Sequence, residues 1–337
     1  MMQLSFATSE KELADSLGRE ILPFYYSQVA AGSMQTADGL TLQYGSLKVP
    51  ADKGALLILP GRTEAMIKYA ELVYNLRTAG FSIYLLDHRG QGFSERMLPD
   101  PRRGHVENFA DYVSDLKLFV DTVVKKGKHN RLFILSHSMG GTISVLYAAM
   151  NPGDVDGLVL CAPMLGIRTL PLSKPFTEFL VRGMAIGLGD SLVIGGNHFD
   201  STRKFAGNRV TGSRERFMMN RALIAANPEI KLGAPTYRWL WEAMKAGRQA
   251  VQQADRIKSP VLLLQAGRDG YVCPAAQADF CQNTPDCRLH VVEGARHEIL
   301  METDSIRDWA LAMILDFLQK KTGNPRPVGA GPPIISL

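Results

Sequence analysis

Little in this sequence invites a metal or redox reading. Its four cysteines, Cys161, Cys273, Cys281 and Cys287, show neither a CxxC pair nor the nearby histidines of a zinc site. Three of them fall in one short stretch, so a Cys281–Cys287 pairing stays open, although thiols in a reducing compartment are the simpler reading. The net charge is +5, yet no Lys/Arg block is long enough for a nucleic-acid footprint. Arg102-Arg103, Lys125-Lys126 and Lys320-Lys321 are scattered, which leaves only a mild attraction to anionic lipid surfaces. Glu10, Glu12 and Asp15 interrupt the N-terminal segment, which therefore lacks the apolar core of a secretory signal. The most apolar internal stretch, Phe176 to Gly196, is broken by Glu178, Arg182, Asp190 and several glycines, which argues against a membrane span. The expected location is cytoplasmic, with any membrane contact peripheral at the inner face.

What is present is a rhythm. Short continuous apolar runs recur at Ala55 to Leu59, Ile83 to Leu86, Leu132 to Leu135, Leu158 to Leu160 and Val261 to Leu264, as in strands buried on both faces. Between them, Met66, Ala70, Val73 and Leu76, then Phe109, Tyr112, Leu116, Phe119 and Val123, keep helical spacing. Alternating strand and helix predict a mostly parallel central sheet flanked by helices. Leu40, Leu42 and Tyr44 alternate with polar residues and predict a half-exposed antiparallel strand; Ser305 to Gln319 predicts the last helix. From Pro163 to about Ala250 the strand rhythm is lost, and the segment reads as a helical insertion. The resulting division is an N-terminal helical extension over 1–38, a core over 39–163 and 251–320, a helical cap over 164–250 and a Gly/Pro-rich tail over 321–337.

The run Leu132 to Leu135 leads directly into Ser136-His137-Ser138-Met139-Gly140-Gly141, and a helical pattern follows. A serine on a strand-to-helix turn is held with its hydroxyl exposed, and residues two positions away must be small. Gly140 meets that demand, and Ser136 stands where the usual G-x-S-x-G pattern has its first glycine. Ser138 is the candidate nucleophile, with the adjacent His137 read as structural because its ring points away from the hydroxyl. Asp269 follows the run Val261 to Leu264 and is the candidate acid, against the plainer reading of an Asx turn at Asp269-Gly270. His297 lies between a strand, Leu289 to Val292, and the final helix, where a loop brings an imidazole over the sheet edge; it is the candidate base. Met139 supplies one backbone N–H to an oxyanion, and the chemistry requires no metal or organic cofactor.

Leu59-Pro60-Gly61-Arg62-Thr63-Glu64, Asp87-His88-Arg89-Gly90-Gln91-Gly92-Phe93-Ser94, Ser136 to Gly141 and Arg296-His297 together resemble, in order, the motifs of the lysophospholipase L2 and monoglyceride-lipase branch of the α/β-hydrolases. The resemblance implies an α/β-hydrolase fold with a helical cap, a second oxyanion donor at the Arg62 N–H, and hydrolysis of a glycerol ester with one acyl chain. The Asp87 to Ser94 loop reads as bracing rather than catalytic, with Glu64 and His105 beside it. Leu172, Phe176, Phe179, Leu180, Met184 and Trp239 are the candidate acyl-chain lining, although packing of the cap on the core explains them equally well. A small-molecule or lipid ester is the expected partner. Two rivals stay open: an aminopeptidase of the proline iminopeptidase kind, and a non-catalytic ligand-binding protein on the same scaffold.

Overall fold

The computed structural model describes residues 7–168, 174–197 and 204–323. Its strands are β1 (Ala30–Gln35), β2 (Thr41–Leu47), β3 (Ala55–Leu59), β4 (Ser82–Leu86), β5 (Leu132–His137), β6 (Gly157–Cys161), β7 (Val261–Ala266) and β8 (Cys287–Val292). They form one sheet in the order β1-β2-β4-β3-β5-β6-β7-β8. β1, β2 and β4 pair antiparallel, and every other ladder is parallel. The helices are α1 (Glu10–Ser16), α2 (Leu22–Gln28), α3 (Ala70–Leu76), α4 (Phe109–Phe119), α5 (Met139–Met150), α6 (Lys174–Gly187), α7 (Arg214–Ala226), α8 (Tyr237–Gln252), α9 (Pro274–Asn283) and α10 (Asp304–Thr322).

The continuous apolar runs divide by alternate residues. On β3, Leu56 and Ile58 join the core beneath α3 and α10, while Ala55, Leu57 and Leu59 join the core beneath α4, α5 and α8. This is the two-residue period of a strand expressed on two buried faces, so helices must cover both.

The N-terminal region departs from the expected helical extension. α1 and α2 are helical, but Ala30–Gln35 forms β1, paired antiparallel with β2 in the register Gly32 to Tyr44. The sequence AAGSMQ has no β-branched residue and lies at a mostly exposed sheet edge, so it carries no strand pattern. The final helix also begins one residue earlier than expected and runs to Thr322. The expected tail beyond Gly323 lies outside the described residues.

Of the two cysteine readings the sequence leaves open, the structure holds the Cys281–Cys287 pairing. Cys281 and Cys287 are bonded, which ties the end of α9 to the start of β8, while Cys161 and Cys273 are free. The six-residue separation folds back on itself and brings the two Cα atoms to 5.3 Å, within disulfide reach. Among the described residues, no helix is long and apolar enough to cross a membrane.

One charge cluster is built around Glu71, Arg216 and Arg307, all fully buried. Glu71 of α3 accepts from Arg216 of α7 at 3.0 and 3.1 Å, and Arg307 of α10 lies 3.5 Å from the same carboxylate. Arg216 also reaches Asp304 at 2.9 Å. Removing one member of a buried pair leaves the other uncompensated. Glu71→Ala is therefore expected to destabilise the chain by about 3–5 kcal/mol, read as a lower urea midpoint at unchanged m-value.

Candidate active site

The turn after β5 sets the geometry. Ser138 sits at φ 50° and ψ −113°, a conformation that costs an L-residue energy and persists only when its surroundings hold it. Its N–H donates to Cys161 O at 3.1 Å, and its carbonyl accepts from Met164 N at 2.9 Å. A Cβ on Gly140 would stand 2.5 Å from Leu59 O and 2.7 Å from Pro60 O, so α5 approaches β3 closely only because that atom is missing. On the other side, Ser136 is buried and its hydroxyl faces Val159 O at 3.4 Å. A small polar side chain thus fits where the usual pattern has glycine.

Three loops at the carboxyl ends of β5, β7 and β8 bring the candidate residues together, as open parallel sheets do for their sites. Ser138 Oγ lies 3.0 Å from His297 Nε2, and His297 Nδ1 lies 2.7 Å from Asp269 Oδ2. The other carboxylate oxygen, Asp269 Oδ1, accepts from Tyr271 N at 2.7 Å and Val272 N at 3.1 Å. The Asx turn and the bond to the imidazole therefore coexist, one on each oxygen. Burial pushes the Asp269 carboxyl up, but the His297 hydrogen bond and charge and the two backbone N–H groups outweigh it, so its pKa lies below the ordinary value. The carboxylate stays ionised and holds the Nδ1–H tautomer that leaves Nε2 free to accept from Ser138.

The turn after β3 lies directly against Ser138. A Cβ on Gly61 would be 3.2 Å from Ser138 Cβ, and the next residue is Arg62. The Arg62 side chain turns away, donating to Gly233 O at 2.8 Å and lying over the Trp239 ring at 5.4 Å. Met139 opens α5, so its N–H is one of the donors that no helix satisfies internally.

The Asp87 to Ser94 loop braces this turn. Asp87 accepts from Met66 N at 2.6 Å and Phe93 N at 2.8 Å, while burial holds its carboxyl up at about 7. Burial pushes His88 down to about 4, so it is neutral, and its Nε2–H donates to Pro60 O at 3.1 Å. His105 lies against the same loop, its carbonyl 3.2 Å from where a Cβ on Gly90 would stand, while its ring pairs with Thr236 Oγ1 at 3.0 Å and Glu107 at 3.1 Å.

A network beneath the site carried no sequence signal beyond the expectation that His137 is structural and that Glu64 braces its surroundings. Glu64 accepts from Gly61 N, Tyr69 Oη and Lys68 Nζ, and it faces His137 Nδ1; Lys68 also reaches Glu298, next to His297. Burial pushes Glu64 up, but His137 and Lys68 more than reverse it and hold the carboxyl well below its usual range. These residues are ordinary helix and turn types, and only folding converges them.

Of the candidate lining, Leu172 lies outside the described residues. Phe176, Phe179 and Leu180 are exposed on α6, with Phe179 at 73%, and Met184 is half-buried. Trp239 is buried and donates through Nε1 to Tyr112 Oη at 3.3 Å, so it belongs to the packing beside Arg62.

A family model described as serine aminopeptidase, S33, matches residues 50–304, a span that holds all three loops. The chain is 38% identical over 300 residues to "Lysophospholipase L2" of Escherichia coli strain K12, covering 84% of this chain and 85% of that protein. It belongs to this α/β-hydrolase family, in the lysophospholipase and monoglyceride-lipase branch. As a member it is an ester hydrolase. It is also 29% identical to "Probable lysophospholipase L2" of Haemophilus influenzae, over 89% of this chain and 95% of that one. A soluble variant of monoglyceride lipase from Saccharomyces cerevisiae shares its fold, with a TM-score of 0.71, 20% identity, and coverage of 87% of this chain and 95% of that one.

Gly140→Ala tests the close approach at the elbow. The added methyl meets backbone oxygens that cannot rotate aside, so a loss of about 1–3 kcal/mol in unfolding free energy is expected together with a sharp fall in ester turnover. Unchanged stability and turnover would show that the turn is not constrained there.

Proposed function

We propose that this protein hydrolyses a glycerol ester carrying a single acyl chain, foremost a lysophospholipid, through an acyl-enzyme on Ser138. The observation that carries the reading is the continuous hydrogen-bonded chain from Asp269 through His297 to Ser138, with each imidazole nitrogen bonded to one partner. In this mechanism His297 takes the Ser138 proton as Oγ attacks the ester carbonyl, and the developing oxyanion is received by the N–H groups of Arg62 and Met139. His297 then returns the proton to the leaving alcohol. Water enters by the same route and releases the fatty acid, while Asp269 stabilises the imidazolium formed in each half.

The substrate class rests on the two lysophospholipase relatives and on apolar surface. Phe176, Phe179, Leu180, Ile186, Leu188 and Ile194 are all exposed within one stretch of the cap. Each methylene moved from water onto such a surface contributes roughly 0.8 kcal/mol, which favours a lipid-like ester over a small polar one. The same stretch suits peripheral contact with a lipid aggregate or membrane face. The aminopeptidase reading requires acidic groups free to hold an ammonium, and two cap acids are otherwise engaged. Glu178 pairs with Arg248, while Glu242 accepts from Phe109 N at 3.1 Å and pairs with Lys245.

Rates on lysophosphatidylcholine, monoacylglycerols, short p-nitrophenyl esters and aminoacyl amides are expected to be highest for the first two. Ser138→Ala should lower kcat by about 10⁶-fold and abolish fluorophosphonate labelling, and Asp269→Asn should lower kcat by about 10⁴-fold. A preference for amides would overturn the substrate reading, and turnover retained in Ser138→Ala would overturn the mechanism.

A further inference from the structure

We infer that His137, beside the nucleophile, is held doubly protonated, as an imidazolium that clamps the oxyanion turn and the His297 loop to the end of β5. The inference rests on the catalytic reading of Ser138 and His297 above. His137 Nδ1 lies 3.1 Å from Glu64 Oε2, and its Nε2 lies 3.1 Å from the backbone carbonyl oxygen of His297. A carbonyl only accepts. Glu64 is likewise an acceptor throughout: Oε2 takes the Gly61 N–H and the Tyr69 hydroxyl at 2.6 Å, and Oε1 takes the Lys68 ammonium at 2.7 Å. A neutral imidazole carries one N–H, so one buried lone pair would face an acceptor. Two N–H groups satisfy both.

Charge balance points the same way. The cluster buries Glu64 beside Glu298, with Lys68 bridging them at 2.7 and 2.8 Å, which leaves two carboxylates against one ammonium. A proton on His137 brings the sum to zero, and an unbalanced buried charge is costly. The other titratable groups around the ring do not supply that charge. Tyr69 donates its hydroxyl to Glu64, and burial holds the Cys161 thiol of the neighbouring strand up at about 12, hence neutral. The His297 ring stands with its centroid 4.8 Å away. Because Glu64 offsets the His137 charge, the imidazolium formed on His297 during attack is not opposed.

His137 touches no substrate and is a positioning residue. It holds the base through the His297 carbonyl, and it holds the oxyanion turn through the Glu64 carboxylate that also takes the Gly61 N–H. Burial lowers its pKa, but the charge and hydrogen bond of Glu64 outweigh this, and the net direction is upward. For a histidine raised in the folded state, the stabilising contribution is fully present below the unfolded value of about 6.5. It is lost as pH rises through the higher native value.

The test is nitrogen-15 NMR of the full chain with labelled histidine, at about pH 8 where a free imidazole is mostly neutral. The His137 ring, assigned through its own backbone, is expected to show a proton on both nitrogens; a single-proton neutral ring would overturn the inference. Glu64→Gln should return the ring to a neutral form at the same pH and lower kcat between about ten- and a hundredfold, with KM little changed. A ring still doubly protonated in Glu64→Gln would overturn the assigned cause. Turnover retained in Ser138→Ala would sink the catalytic reading whatever the ring shows, whereas a dead Ser138→Ala with a neutral His137 sinks this inference alone.

Discussion

Ser138 is held at a positive φ that a residue with a side chain adopts at a cost, and the neighbouring elements are arranged to keep it there. Its N–H is bonded to β6, its carbonyl to the start of the insertion, and the helix that follows passes so near β3 that residue 140 must be glycine. Held this way, the Ser138 hydroxyl stays 3.0 Å from an imidazole arriving from another loop. Relaxing φ at this one position would swing Oγ off the line to His297, and no other contact in the site would restore it.

His297 reaches that hydroxyl from a loop, and loops are the mobile parts of a fold. Here the loop is tied on both sides. Glu302 accepts from Arg296 N at 2.8 Å and from Gly212 N at 2.8 Å, and the Arg296 side chain donates to Asn208 O and Thr211 O at 2.8 and 2.9 Å. The segment leading into α7 is therefore joined to the residue preceding His297. Displacement of the 208–212 segment would thus be transmitted to the residue beside His297.

The strands buried on both faces were legible because their cores are short unbroken apolar runs, and those of β3, β5 and β7 announce themselves. β1 was not legible: AAGSMQ pairs through its backbone at a sheet edge, and backbone pairing leaves no mark on side-chain pattern. Within the site, Ser138, Asp269 and His297 could be found because each lies at a strand end in a short polar or glycine-containing turn. Glu64 was legible as a brace but not as the centre of a buried network, and Lys68, Glu71 and Arg216 were not legible at all, since a single charged residue in a helix reads as solvated surface. Their burial is a product of convergence between segments more than a hundred residues apart for Glu71 and Arg216. The α6 aromatics were legible as apolar but not as exposed, because amphipathic spacing does not say whether a partner covers the stripe.

Besides the Arg89–Asp115 pair, two groups of buried charge meet the segment between His297 and α10. One contains Glu64, Lys68, His137 and Glu298; the other contains Glu71, Arg216, Arg307 and Asp304. His297 lies just before Glu298, and Asp304 opens α10 seven residues on. Charges in a low-dielectric interior interact strongly and tolerate little displacement, because every partner lost leaves a bare charge. Apolar packing would allow the loop to slide by fractions of an ångström at small cost, whereas a carboxylate seated among fixed donors resists that slide. His297, which lies within hydrogen-bonding distance of a strained serine, shares in that stiffness. Both groups anchor the segment that follows His297, one through Glu298 and the other through Asp304.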